Sequence, residues 1–126
     1  KNILVQGIES SEKKTIFLKN IKNTIKIENF SITNARFESK PIELANKFDV
    51  FTVRALKITP EFVQNTLFYA KNKARLYTYN QFIIKELDNK LDINKSVINS
   101  VDKIVYNNPD KTKRTIFQIN LHQPGL

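Results

Sequence analysis

Two acidic residues near the start of the chain each follow an apolar run with the composition of a β-strand. Glu9 directly follows the run Ile3–Ile8, and Glu38 comes shortly after the run Phe30–Ala35. In α/β folds, ligands bind outside the carboxyl ends of parallel strands, where an acidic side chain can accept hydrogen bonds from ribose hydroxyls. Glu9 therefore indicates an adenosine-ribose site. The structural alternative is an acid that interacts favourably with the start of the next helix.

Arginine is rare in this chain, whose positive charge comes mostly from lysine. Arg36 follows the second predicted strand, and Arg54 follows the apolar run Phe48–Val53. The arginine side chain offers a planar set of donors that lysine lacks. Arginine at these two positions therefore indicates a requirement for such a planar set of donors, and the alternative is a structural ion pair, for example with Asp49 or Glu38.

The elements that must hold these side chains alternate between strand and helix. Ser10 and Ser11 are candidate N-caps of a first helix. In that helix Phe17, Ile21 and Ile25 recur every four residues and predict an apolar face. The order strand, helix, strand is typical of folds that bind nucleotide-type cofactors.

The second half of the chain continues this alternation. The β-branched and aromatic run Phe48–Val53 predicts a buried strand, and Thr59-Pro60-Glu61 predicts the start of a helix. A strand over Ala74–Tyr79 and a helix marked by Ile83, Leu87 and Leu91 follow.

The last third of the chain predicts an antiparallel hairpin. Two β-rich segments, Val97–Tyr106 and Thr112–Leu121, flank the turn-forming cluster Asn107-Asn108-Pro109-Asp110. A dinucleotide-binding dehydrogenase domain would end in a parallel strand instead.

Several short motifs occur in a fixed order along the first half. They are Glu9-Ser10, Lys13-Lys14, Phe17-Leu18, Arg36-Phe37-Glu38 and the run from Phe48 to Ala55, Phe-Asp-Val-Phe-Thr-Val-Arg-Ala. In these motifs the chain resembles the small-subunit ribosomal RNA guanine-N7 methyltransferases, also called glucose-inhibited division protein B. Beyond Leu56 the resemblance lies in the layout of strands and helices.

The resemblance implies an α/β fold, the Rossmann-like sheet of class I S-adenosylmethionine-dependent methyltransferases with a C-terminal antiparallel hairpin. That family opens with a strand and a Gly-rich loop that holds the methionine part of the cofactor. Gly7 and Gly125 are the two glycines of this sequence, so no Gly-rich loop is possible, and the sequence begins directly on the strand-like run Ile3–Ile8. We therefore expect residues 1–126 to form a single, N-terminally incomplete domain that alone binds the cofactor poorly and is inactive.

The missing first strand has a structural consequence. In class I methyltransferases it lies between the strands that correspond here to Ile3–Ile8 and Phe48–Val53. Those two strands would otherwise leave unpaired backbone groups, at a cost of roughly 1–3 kcal/mol for each buried group. We therefore expect an additional strand to fill the position between them.

The resemblance also implies a function, methyl transfer from S-adenosylmethionine to guanine N7 of 16S ribosomal RNA in the cytoplasm. Guanine N7 has an exposed lone pair, so no proton has to be removed and no catalytic residue is predicted; orientation of donor and acceptor would be sufficient. The predicted cofactor-binding residues are Glu9, Phe37, Glu38 and Arg54. The predicted RNA-binding residues are Arg36, Lys13 and Lys14.

Composition sets wider limits on function. The net charge of +9 favours a polyanionic partner, here 16S ribosomal RNA or the small ribosomal subunit. The absence of cysteine and the single histidine, His122, exclude disulfides, thiolate metal sites and multi-histidine metal sites. No apolar run approaches the roughly 20 residues that span a bilayer.

Two alternatives to the enzyme remain open at this point. The chain could be a non-catalytic, basic RNA- or ribosome-binding module. It could also derive from a nucleotide-binding oxidoreductase, which the predicted terminal hairpin disfavours.

Overall fold

The computed structural model describes residues 3–54, 56–79 and 97–124, and its contacts divide the chain into two compact units, Lys1–Pro41 and Ile42–Leu126. The helix predicted around Ile83, Leu87 and Leu91 lies outside the described residues. The expectation of a single domain stays a prediction.

The first unit is a pair of parallel strands connected by a helix. Its elements are β1 (Val5–Glu9), α1 (Glu12–Ile25) and β2 (Phe30–Asn34), followed by a 3-10 turn (Phe37–Ser39). β1 and β2 pair in parallel. This β-α-β unit confirms the order of elements predicted from the sequence.

The ends of α1 are set by local hydrogen bonds. Ser11 is the N-cap, as predicted, and its hydroxyl accepts a hydrogen bond of 3.3 Å from the Lys14 N–H. At the other end Lys26 adopts a left-handed conformation (φ 56°), and its N–H donates to the carbonyl of Lys22. The helix therefore stops at Ile25, because a left-handed residue cannot continue it.

The apolar face predicted for α1 is largely exposed. Phe17 and Ile25 are 62% and 61% exposed, and Ile21 is 36% exposed. The buried residue of α1 is Thr15, whose hydroxyl donates to the carbonyl of Ser11 at 2.9 Å. The helix thus buries a polar residue at its first turn, and the described residues leave its apolar face uncovered.

The second unit contains a mixed four-stranded sheet and one helix. Its elements are a 3-10 turn (Ile42–Leu44), β3 (Phe48–Val53), α2 (Pro60–Tyr69), β4 (Ala70–Thr78), β5 (Ile98–Asn107) and β6 (Lys113–His122). The strand order is β3-β4-β6-β5, in which β3 and β4 are parallel and the other two pairs are antiparallel. The antiparallel pairing of β5 with β6 confirms the predicted hairpin.

Helix α2 begins where the sequence predicted it. The Thr59 side chain accepts a hydrogen bond of 3.1 Å from the Phe62 N–H, and Pro60 occupies the first helical turn, where the missing N–H costs nothing. The helix passes directly into β4 at Ala70.

The core of the second unit joins α2 to one side of the β4–β6 pair. Alternate residues of the two strands face each other there, with Ala74 opposite Leu121 and Leu76 opposite Ile119. The buried apolar cluster consists of Ile58, Val63, Leu67, Ala70, Ala74, Leu76, Val97, Ile119 and Leu121.

Strand β3 was predicted to be buried, but part of it is exposed, and β1 is partly exposed as well. Strand β3 has the predicted bounds, but Val50 is 42% exposed and Asp49 is exposed. In β1, Leu4 just before the strand is 80% exposed and Val5 is 48% exposed. The reason is that, within the described residues, β3 is hydrogen-bonded on one side to β4 and β1 on one side to β2.

Strand β1 belongs to the first unit and β3 to the second. The additional strand expected between them stays a prediction.

We predict that Leu76→Ala lowers the free energy of unfolding by about 2–5 kcal/mol, because a fully buried leucine leaves a cavity when it is truncated. Urea unfolding monitored by circular dichroism measures the change. The matched control is Leu56→Ala at a leucine that is 55% exposed, and similar losses in both variants would contradict the assignment of Leu76 to the core.

Candidate functional site

The carboxyl ends of β1 and β2 lie side by side and are joined by hydrogen bonds. Glu9 ends β1 opposite Asn34, which ends β2. The Asn34 side-chain amide donates to the carbonyl oxygens of Glu9 (3.0 Å) and Ser10 (3.2 Å), and the Ala35 N–H donates to the same Glu9 carbonyl (3.0 Å). The second strand therefore fixes the backbone from which the Glu9 side chain extends.

The Glu9 carboxylate is itself oriented by the backbone. Its Oε2 atom accepts a hydrogen bond of 2.9 Å from the N–H of Ser11, and the side chain is partly buried. Among the described residues Oε1 has no hydrogen-bond partner. The carboxylate is thus held in place with acceptor capacity left, which is what recognition of a hydroxyl group requires.

Thr15 supports the same junction and was not singled out by the sequence analysis. It is 3% exposed, and its hydroxyl lies 2.9 Å from the carbonyl oxygen of Ser11 and 3.4 Å from that of Glu9. A hydroxyl residue four positions after an N-cap, next to a strand end, was the sequence signal that could have identified it.

The Arg36–Glu38 segment follows β2 at the same edge. A 3-10 turn begins at Phe37, and Ser39 closes it by donating to the Arg36 carbonyl through its hydroxyl (2.7 Å) and its N–H (3.1 Å). Phe37 is partly buried, whereas Arg36 and Glu38 are exposed. Neither charged side chain makes an ion pair with any described residue, so the alternative of a structural ion pair for Arg36 finds no support here.

Lys13 and Lys14 lie in the first turn of α1, next to the Ser11 cap. Both side chains are exposed, and neither makes an ion pair within the described part of the chain. Two cations at the positive end of a helix dipole are unfavourable unless solvent or an anion compensates them. The first unit therefore places the acceptor Glu9 and the donors Lys13, Lys14 and Arg36 around one junction of two strands and a helix.

Arg54 belongs to the second unit, where it directly follows β3. Its side chain is exposed and makes no ion pair with the residues that the structure describes, Asp49 included. Its assignment to the cofactor site stays a prediction.

In residues 3–54, 56–79 and 97–124, no group of three or more histidine, cysteine, aspartate or glutamate residues is arranged to hold a metal ion. No helix in these ranges has both the length and the apolar character needed to cross a membrane.

Sequence comparison identifies relatives of this chain. The family described as rRNA small subunit methyltransferase G matches residues 1–114. A ribosomal RNA small subunit methyltransferase G from Treponema denticola is 36% identical over 73 residues, which are 57% of this chain and 28% of that relative. The match thus spans less than a third of the relative's length.

Comparison with solved structures identifies the fold. An antibiotic-related methyltransferase superposes with a TM-score of 0.60 at 20% identity, covering 95% of this chain and 76% of that one. M. jannaschii TYW2 in complex with AdoMet gives a TM-score of 0.66 at 13% identity, covering 95% of this chain and 58% of that one. The fold is that of class I methyltransferases, as the sequence predicted.

We predict that Asn34→Ala lowers the free energy of unfolding by about 0.5–1.5 kcal/mol for each hydrogen bond lost from the Glu9 and Ser10 carbonyls. Chemical unfolding of the purified variant measures this loss. Asn20→Ala is the control, because Asn20 is an exposed residue within α1 where alanine favours the helix. Equal stability of the two variants would show that the Asn34 amide does not hold the strand end.

Proposed function

This chain belongs to the rRNA small subunit methyltransferase G family, and from that membership we propose that it is part of an enzyme that methylates guanine N7 in 16S ribosomal RNA. The observation that carries the proposal is the Glu9 carboxylate, which one backbone N–H orients and which keeps an oxygen free of described partners. A non-catalytic RNA-binding module is disfavoured, because this acceptor belongs to one of the motifs shared with the family.

The residues of the first unit fit S-adenosylmethionine as the cofactor. Glu9 would accept hydrogen bonds from the ribose hydroxyls, in the position that acidic residues take at strand ends of nucleotide-binding folds. The partly buried Phe37 would lie against the adenine ring, next to Glu38. Arg54, in the second unit, stays a predicted cofactor-binding residue. When bound, the cofactor supplies an electrophilic methyl group.

Dinucleotide-binding dehydrogenases also have a carboxylate at a strand end, so Glu9 alone does not define the reaction. The antiparallel pairing of β5 with β6 supports the methyltransferase, because a dehydrogenase sheet would continue with a parallel strand. Family membership favours the same conclusion.

Methylation of guanine N7 requires few chemical steps from the protein itself. Guanine N7 has a lone pair that is not protonated at neutral pH, so no general base has to remove a proton. The residues of this chain would bind and orient the two reactants, and fixing reacting groups in position can supply much of a rate enhancement. The rigid junction at Glu9 suits that role.

Exposed cations at the same junction support RNA as the substrate. Lys13, Lys14 and Arg36 have no carboxylate partner in the described residues, so phosphate groups could neutralise them with release of counterions. The partner would be 16S ribosomal RNA, free or in the small ribosomal subunit, and the protein would act in the cytoplasm, where that RNA is found.

We predict that Glu9→Ala in the full-length protein weakens S-adenosylmethionine binding by about 1.5–3 kcal/mol, the range for hydrogen bonds to a charged group. Affinity for 16S ribosomal RNA should stay nearly unchanged. Calorimetry measures the first quantity, and filter binding measures the second.

Glu12→Ala is the matched control for this experiment. Glu12 is an exposed acid in the first turn of α1, so it shares the helix-dipole interaction but not the position at the strand end. The same cofactor affinity in the wild type and the Glu9 variant, or the same loss in both variants, would contradict ribose recognition by Glu9.

A further inference from the structure

The hairpin formed by β5 and β6 extends beyond the rest of its sheet. The pairing of β4 with β6 stops at Thr78 opposite Phe117, whereas β5 and β6 remain paired as far as Asn107 opposite Lys113. Residues 104–116, called the hairpin tip below, therefore form a two-stranded ribbon within the described part of the chain. Both faces of such a ribbon can meet a partner.

The turn of the hairpin tip is held by its own hydrogen bonds. The Asn108 N–H donates to the Thr112 carbonyl (2.8 Å), and the Lys111 N–H donates to the Asn108 carbonyl (2.9 Å). Asp110 Oδ1 accepts from the N–H (3.0 Å) and the hydroxyl (2.6 Å) of Thr112. Side chains on this turn start from a fixed backbone, so less conformational entropy is lost when they bind a ligand.

The hairpin tip carries positive charge that nothing described neutralises. Lys111, Lys113 and Arg114 are exposed and make no ion pair within the described residues. The nearby carboxylate of Asp110 is engaged by Thr112, whose side-chain and backbone hydrogen bonds hold the pKa of Asp110 below its ordinary value. Asp102, further along β5, accepts a hydrogen bond from Asn120 (2.9 Å). The acids are therefore bound by neutral donors, and the cations remain available.

An aromatic side chain accompanies these cations. Tyr106 lies directly opposite Arg114 in the antiparallel register, so both side chains project from the same face of the ribbon. Tyr106 is 38% exposed, and its hydroxyl has no hydrogen-bond partner among the described residues. Proteins that bind unpaired nucleotides use this combination, since aromatic rings stack on bases and cations contact the phosphates.

We propose that the hairpin tip is an RNA-contacting surface, in which Lys111, Lys113 and Arg114 contact phosphates and Tyr106 stacks on an unpaired base. The inference rests on the proposed function for the identity of the RNA, which would be the 16S ribosomal RNA that is methylated. Charge complementarity favours RNA over a protein partner, because the hairpin tip carries the three cations Lys111, Lys113 and Arg114 against the single carboxylate of Asp110. The tip would add affinity and position the RNA, without a part in cofactor binding.

The charge test uses the triple variant Lys111→Gln, Lys113→Gln, Arg114→Gln in the full-length protein. Affinity for 16S ribosomal RNA, measured by filter binding over a series of salt concentrations, should fall about 10-fold or more. The slope of log affinity against log salt should become shallower by about 2, since each phosphate contact on a single strand contributes about 0.7. S-adenosylmethionine affinity should be unchanged.

A charge-matched control distinguishes RNA binding at the hairpin tip from nonspecific attraction between RNA and a positively charged protein. Lys19, Lys47 and Lys71 are exposed lysines outside the hairpin tip. Their triple substitution by glutamine should lower RNA affinity less than the tip variant does. Equal losses in the two triple variants would overturn the proposal, because the effect would then come from net charge.

The stacking test uses Tyr106→Ala and Tyr106→Phe. Loss of the ring should weaken RNA binding about 10-fold, within the range found for base–aromatic stacking, and phenylalanine should restore the affinity because it keeps the ring. Wild-type affinity in Tyr106→Ala, or failure of Tyr106→Phe to restore binding, would overturn the stacking role.

If the wild-type protein binds 16S ribosomal RNA and no tip variant weakens that binding, this inference fails while the proposed function stands. If the wild type does not bind the RNA, both fail.

Discussion

The junction at the end of β1 depends on how one backbone carbonyl is satisfied. The Glu9 carbonyl accepts hydrogen bonds from the Asn34 side chain and the Ala35 N–H, which both belong to the end of the neighbouring strand. With its backbone held there, the Glu9 carboxylate can accept from the Ser11 N–H, which also belongs to the helix cap. The strand end, the helix start and the candidate ribose acceptor therefore form one hydrogen-bonded network, and the proposed function requires that network.

A second feature repeats at both ends of the chain. Acidic side chains are engaged by uncharged donors, Glu9 by the Ser11 N–H and Asp110 by Thr112. Lysine and arginine side chains nearby are left without carboxylate partners in the described ranges. Part of the net charge of +9 is therefore carried by unpaired cations at two defined places. A polyanion can neutralise such cations. These places are the two proposed RNA-contacting surfaces, the junction at Glu9 and the hairpin tip.

Periodicity and turn chemistry predicted the elements well, because strands β2, β3, β5 and β6 and the Thr59 cap depend on local composition. The uncovered apolar face of α1 was not predictable in this way. The spacing of Phe17, Ile21 and Ile25 identifies a face but not what lies against it, and the residue that α1 buries is Thr15.

The amide of Asn34 was also missed, since its hydrogen bonds join residues 25 and 24 positions apart in the chain. The positions of Glu9, Arg36 and Glu38 at one strand edge were predictable because parallel strands end together.

Methyl transfer to guanine N7 is the activity that we propose for the full-length protein. The direct measurement incubates the full-length protein with S-adenosylmethionine carrying a labelled methyl group and with unmodified 16S ribosomal RNA, and then identifies the labelled nucleoside by mass spectrometry after digestion. We expect label in 7-methylguanosine, and little or none with Glu9→Ala at limiting cofactor. Label on an exocyclic amine or a ribose hydroxyl, or no transfer by a protein that binds the RNA, would contradict it.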